Sequence, residues 1–190
     1  MNLNLLPPPQ SDDNELAVQA RTDRAAFGVL FDRTLPKIYG YLYRRVGHRE
    51  IAEDLASRTF EKALANIHRF SPERGTWNSW IYRIATNVLF DHFRAGNREV
   101  PMPEEEWNEP SVPETASKTT ERGIDRKMLL AAMAKLPERY RSALALRFFE
   151  EKTTEEMAAI LKVSRGTLAV LIHRSLRALE KIVKETPLAQ

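Results

Sequence analysis

Ser79, Arg83, Asn87, Phe90 and Arg94 recur at three- and four-residue steps, which at about 100° per residue puts them along one side of a helix. The stripe mixes hydroxyl, guanidinium, amide and aromatic groups. Arginines neutralise phosphates, an asparagine can hold or read a base edge, and an exposed ring stacks on an unpaired base for about 1–3 kcal/mol. Such a surface suits nucleic acid, and no bond need be made or broken on it. The same spacing also fits a packed helix whose arginines snorkel to solvent. Trp77, Ile81, Ile84, Ala85 and Val88 fall on the opposite face and read as core, with Thr76 as N-cap and Gly96 just past the end.

Catalytic chemistry has no comparable support. The chain has no cysteine, which removes disulfides, thiolate metal sites and thiol nucleophiles. His48, His68, His92 and His173 are scattered without metal-ligand spacing, and there is no glycine-rich phosphate loop and no nucleophile triad. The expectation is therefore a non-enzyme with no catalytic residue, no metal, no cofactor and no small-molecule substrate. The start of the chain has no basic segment before its apolar patch, and Pro7, Pro8 and Pro9 interrupt that patch. With no apolar run near eighteen residues, the expectation is a soluble, cytoplasmic protein without membrane insertion.

The elements that must position the stripe follow from periodicity. The 190 residues are 43% hydrophobic and 29% charged, which fits a globular chain with two small cores rather than one large one. After a disordered 1–11, the pattern predicts a short helix over 12–20. A longer one follows over 24–46, capped at Thr22-Asp23 and ended by Gly47. A third is predicted over 50–69, with Ile51, Leu55, Phe60, Leu64 and Ile67 inward and Glu53, Asp54, Arg58, Glu61 and Lys62 outward. The loop 70–75 contains Pro72 and Gly75, which break the helices on either side.

From about residue 98 to 123 the periodicity stops, and four prolines and many carboxylates read as a flexible linker. Charge divides along the same lines. Residues 1–97 hold 13 basic against 11 acidic side chains, 98–125 hold 3 against 8, and 126–190 hold 13 against 7. Helical spacing then resumes over 124–135 and 137–149. A short helix follows, capped by Thr153 or Thr154, with Glu155 and Glu156 favourable to its dipole. A last helix is capped by Ser164. Its predicted inward stripe is Leu168, Leu171, Ile172, Ser175, Leu176, Leu179 and Ile182, and His173, Arg174, Arg177, Lys181 and Lys184 lie opposite. Short helix, tight turn and basic-faced helix is a helix-turn-helix, whose second helix enters the major groove. The fold class predicted is all-α, with two small helical domains joined by a flexible acidic linker, the C-terminal one a helix-turn-helix.

Several blocks together resemble the sigma factors of bacterial RNA polymerase, in particular the extracytoplasmic-function (ECF) group of the sigma-70 family. They are Ala52-Glu53-Asp54-Leu55 with Thr59-Phe60, and Trp80-Ile81-Tyr82-Arg83-Ile84-Ala85 with Asn87 and Asp91. Leu136-Pro137 with Arg141 follows, then Glu156-Met157-Ala158 through Gly166-Thr167 to His173-Arg174. The likeness runs over 12–183. It implies a factor that binds core RNA polymerase, directs it to promoters and helps melt the minus-ten element. Residues 12–97 would correspond to region two, 98–123 to the acidic linker, 124–186 to region four and 187–190 to a tail.

By the same resemblance Glu53, Asp54, Leu55, Arg58, Phe60 and Glu61 would contact the clamp of the largest polymerase subunit, with the flap of the second largest as a further partner. Phe70, Ser71, Arg74, Trp77, Ser79, Arg83, Asn87, Phe90 and Arg94 would bind the minus-ten element. Ser164, Arg165, Thr167, Val170, His173, Arg174 and Arg177 would bind the minus-thirty-five element. An anti-sigma factor is the expected regulator. The chain departs from the family's usual pattern at Ile51, Ser57 and Arg58, at Ala169-Val170-Leu171, and at Lys162, where glycine is usual.

Overall fold

A computed structural model describes residues 12–95, 129 and 131–185. The expected disordered start, the acidic linker, the cap at Gly96 and the tail lie outside the described residues, as does most of 124–130. In the first half, α1 (Asp13–Gln19) starts at Asp12, whose carboxylate accepts the Asn14 N–H at 3.2 Å. Helix α2 (Arg24–Val46) is capped by Asp23, which accepts the Ala25 N–H at 2.8 Å, and ends at Gly47 with φ 70°. Helix α3 (Arg49–Asn66) stops earlier than the sequence predicts, and its last turn tightens into a 3-10 segment, Ile67–Arg69. Helix α4 (Trp77–Ala95) carries the predicted stripe.

Packing of this half centres on Trp77, which is 1% exposed. Its ring meets Phe27 and Phe70 edge-on at 6.3 and 6.1 Å, and its indole N–H donates to the Thr34 hydroxyl at 3.1 Å. Burying a ring of this size with its polar handle satisfied anchors α4 against α2. Tyr41 and Thr86 add a buried hydroxyl pair at 3.1 Å. Leu64, predicted inward, is 42% exposed instead. The core side of α3 passes through Leu55, Thr59, Phe60 and Ala63, leaving Leu64 one step around the helix.

In the second half, residues 131–134 are helical, followed by α5 (Glu138–Phe148), α6 (Thr154–Leu161) and α7 (Arg165–Glu185). Thr153 and Glu156 form a reciprocal capping box at the start of α6. Ser164 accepts the Thr167 N–H at 3.1 Å and so opens α7. Leu168, Leu171 and Ser175 are buried as predicted, while Leu176 is 42% exposed. The buried line of α7 runs through Ser175, so its immediate neighbour Leu176 turns out to solvent.

The two helical domains do not keep separate cores as the sequence suggests. Ala143, Ala145, Leu146, Met157, Ile160 and Leu168 belong to the same buried cluster as Tyr41, Val88 and Leu89. The side of α4 left over by α2 and α3 is covered by α5 and α6. Met133, Leu136 and Leu144 form a smaller cluster in the second half. Among the described residues no helix is long and apolar enough to cross a membrane.

Candidate nucleic-acid interface

The start of α4 is fixed from two sides. The Thr76 hydroxyl accepts the Ser79 N–H at 3.2 Å, and the side-chain carbonyl of Asn14 in α1 accepts the Trp77 N–H at 2.6 Å. These bonds satisfy donors that the first turn of a helix leaves free. The preceding loop is anchored by Phe70, whose buried ring meets Trp80 at 5.7 Å and whose carbonyl accepts a bond from Arg21. A 3-10 turn, Pro72–Arg74, follows. Gly75 then takes φ 140°, a backbone value that a β-carbon makes costly. Within the turn the Ser71 hydroxyl donates to Glu73, and this bond holds the Glu73 carboxyl below the usual carboxylate range.

Loop and helix together wall a cavity of about 680 Å³. It gathers most of the predicted strand-binding residues: Phe70, Ser71, Arg74, Ser79, Arg83 and Asn87. Arg83 and Asn87 are half-buried, so they are held in place and still face open space. Phe90 and Arg94 lie further along α4, outside the cavity, and Arg94 pairs with Asp91 at 3.5 Å. Trp77 is the clear correction. Buried among Phe27, Phe70 and Trp80, it offers no face to a ligand and instead positions α4. Phe70 is 1% exposed and reaches the cavity only as part of its floor.

The cavity also contains residues that the stripe alone did not reveal. Lys62, Asn66 and Arg69 come from the end of α3 and the segment after it, Trp80 from α4, and Ala159 and Lys162 from the second half. Lys62, Asn66 and Arg69 stand at i, i+4 and i+7, a helical spacing readable in the sequence. Lys62 is held by Asp91 at 3.7 Å. Arg69, Arg74, Arg83 and Lys162 carry no ion pair among the described residues. The result is a concave surface with several unneutralised cations beside an indole ring, suited to a polyanion with aromatic bases.

On the outer side of α3, Glu53, Asp54, Arg58 and Glu61 are exposed. Arg49 pairs with Glu53 at 2.8 Å, Arg58 with Asp54 at 3.5 Å, and Ser57 donates to Glu61 at 3.1 Å. Leu55 and Phe60, predicted to join this contact, are buried, with Phe60 edge-on to Phe31 at 4.8 Å. Their place is the core that supports the charged face. On α7 and its cap, Ser164, Arg165, Thr167, Val170, His173, Arg174 and Arg177 are all exposed on a continuous outer surface. Arg165 reaches back to Glu155 at 3.1 Å, and Val170 stands 50% exposed among polar neighbours.

Comparison with known proteins identifies the family. Residues 30–99 match the family described as Sigma-70 region 2, and residues 126–179 match Sigma-70, region 4. The chain is 32% identical over 177 residues to the ECF RNA polymerase sigma factor SigW of Bacillus subtilis, covering 86% of this chain and 91% of SigW. It is 28% identical over 173 residues to the ECF RNA polymerase sigma factor BldN of Streptomyces coelicolor, covering 90% of this chain and 66% of BldN. In fold it is similar to the sigma factor RpoE in its complex with the anti-sigma factor NepR from Bartonella quintana. That likeness has a TM-score of 0.62 at 22% identity, over 85% of this chain and 98% of the other. The chain therefore belongs to the ECF RNA polymerase sigma factors, non-catalytic initiation factors that direct the polymerase to promoters.

Proposed function

We propose that the cavity between α4 and the loop 70–76 holds the unpaired strand of the minus-ten element while the polymerase opens the promoter. The observation that carries this reading is the set of cations Arg69, Arg74 and Arg83, none in a salt bridge among the described residues, beside Trp80 and Asn87 in one cavity. Unpairing DNA costs a few kcal/mol per base, and a pocket for an extruded base with cations on its phosphates offsets that without any chemistry on the base. In this reading residues 12–97 act as region two and 124–186 as region four. The charged face of α3 docks on the clamp of the largest polymerase subunit, and region four reaches the flap of the second largest. The outer face of α7 reads the minus-thirty-five element, with Arg174 and Arg177 on phosphates and Val170 placed for apolar contact with a thymine methyl. The chain works in the cytoplasm and is held inactive by an anti-sigma factor, as RpoE of Bartonella quintana is found with NepR.

Run-off transcription with purified bacterial core enzyme on genomic fragments tests the whole reading. Within it, Arg83→Ala and Asn87→Ala should lose open-complex formation, read by permanganate reactivity of unpaired thymines, while binding of core enzyme stays near wild type. Equal loss of binding and opening would refute the assignment of the cavity.

A further inference from the structure

Lys162 stands where the chain could have used glycine. It ends α6 in the left-handed region, at φ 54° and ψ 50°, where a β-carbon is strained. Such strain gathers at positions that hold ligands. Lys162 is exposed, makes no ion pair among the described residues, and lines the cavity described above from the second half of the chain. In the same cavity are Arg69 and Arg74, which precede α4, and Arg83 within it, none of them in an ion pair among the described residues.

The charge in this cavity exceeds what a DNA strand brings to it. Its lining has five cations, counting Lys62, against the single carboxylate of Asp91, a formal surplus of four. A volume of about 680 Å³ lies within the range of small-ligand sites, about 300–1,000 Å³, and leaves room for roughly one or two nucleotides. A strand supplies about one negative charge per nucleotide, so at that occupancy it leaves about half or more of the surplus unmet. A chain of three phosphates carries about three and a half to four negative charges on one small molecule, because each inner phosphate is ionised once and the terminal one about 1.5 to 2 times. Trp80 supplies a half-buried indole on which a base can stack, and Asn87 an amide for its edge.

We infer that the cavity is a nucleoside triphosphate site of the free chain, with the base on Trp80 and Asn87 and the phosphates held by Arg69, Arg74, Arg83 and Lys162. The site draws on both halves, and Lys162 is the part that the strand reading does not use. The nucleotide shares its cavity with the promoter strand of that reading, yet its binding does not depend on it. Where both hold, nucleotide and promoter strand compete for Arg83 and Asn87, which couples promoter opening to nucleotide supply.

Titration calorimetry of the full-length free chain, at one fixed salt concentration and without divalent cations, tests this with ATP, adenosine and inorganic tripolyphosphate as probes. ATP should bind one to one and at least about tenfold more tightly than either fragment, since neither brings base and phosphates together. K162G should weaken ATP binding about tenfold, while K162R, which keeps the cation, should stay within about twofold of the parent. Glycine relieves the backbone strain at this position, so lost binding in K162G does not come from unfolding, and circular dichroism checks the helix content. Tripolyphosphate binding as tightly as ATP would mark an adventitious ion only and overturn the inference, as would an ATP affinity unchanged in K162G. Promoter opening judges the strand reading separately. If ATP fails to bind while Arg83→Ala and Asn87→Ala still lose promoter opening, the nucleotide site falls and the strand reading stands. ATP binding as expected, with promoter opening intact in those two variants, has the reverse meaning.

Discussion

Replacing Lys162 by glycine should make the protein more stable. Lys162 follows α6 with φ 54° and ψ 50°, and its N–H bonds to the Ala158 carbonyl in the helix-ending geometry that glycine favours. For a residue with a β-carbon the left-handed region costs about 1–2 kcal/mol. Glycine removes that cost but returns about 0.5–1 kcal/mol through the greater freedom of the unfolded chain. Among the described residues Lys162 has no ion pair that the change would break. The net gain is about 0.5–1 kcal/mol, which for a chain of 150–250 residues raises Tm by about 1–4 °C. Thermal unfolding followed by circular dichroism reads it directly, with K162A as the control. Alanine keeps the β-carbon and the strain, so it should give no gain. A K162G protein less stable than wild type, or a K162A protein equally stabilised, would refute the reasoning.

Other outcomes are also expected. Thr153→Ala opens the capping box on α6 and should lower stability by about 1 kcal/mol, measured by urea midpoint. Arg174→Ala should weaken promoter binding and reduce the slope of log affinity against log salt by about 0.9, because one phosphate contact fewer releases one counterion fewer; an unchanged slope would take Arg174 out of the DNA interface. Burial, and then the neighbouring Glu150 charge, push the Tyr82 phenol above its ordinary value of 10.0. A raised folded pKa contributes stability below the unfolded value that is lost as pH rises past it, so the advantage of wild type over Y82F should shrink above about pH 10 in a series of urea midpoints. Lys152 facing Tyr82 is shifted downward by burial and acts in the opposite sense below its ordinary 10.5, but it is present in both proteins and drops out of the comparison.

Much of the local structure was legible because it is set by neighbours in sequence. Asp23 and Gly47 bound α2, Thr153 and Ser164 open α6 and α7, and Arg83 and Asn87 face open space as their spacing implied. Periodicity gives the direction of a side chain around its own helix, and no more. It could not say that Trp77 and Phe70 would be enclosed by rings from α2 and α4, or that Leu64 and Leu176 would fall just beyond their partner's edge. The seam where the two halves meet was invisible for the same reason. Arg45 and Glu138 are 93 residues apart and Tyr82 and Glu150 are 68 apart, with no shared pattern to connect them.

The bond from Asn14 to Trp77 spans 63 positions of the chain. The foremost turn of α4 is thus fastened by α1, the first helix among the described residues, which contributes nothing to the cavity lining. Trimming from the front is consequently not innocent: a version starting at Asp12 keeps the fastening, whereas one starting at Glu15 leaves the leading amide of α4 to water and loosens a wall of the cavity from a distance.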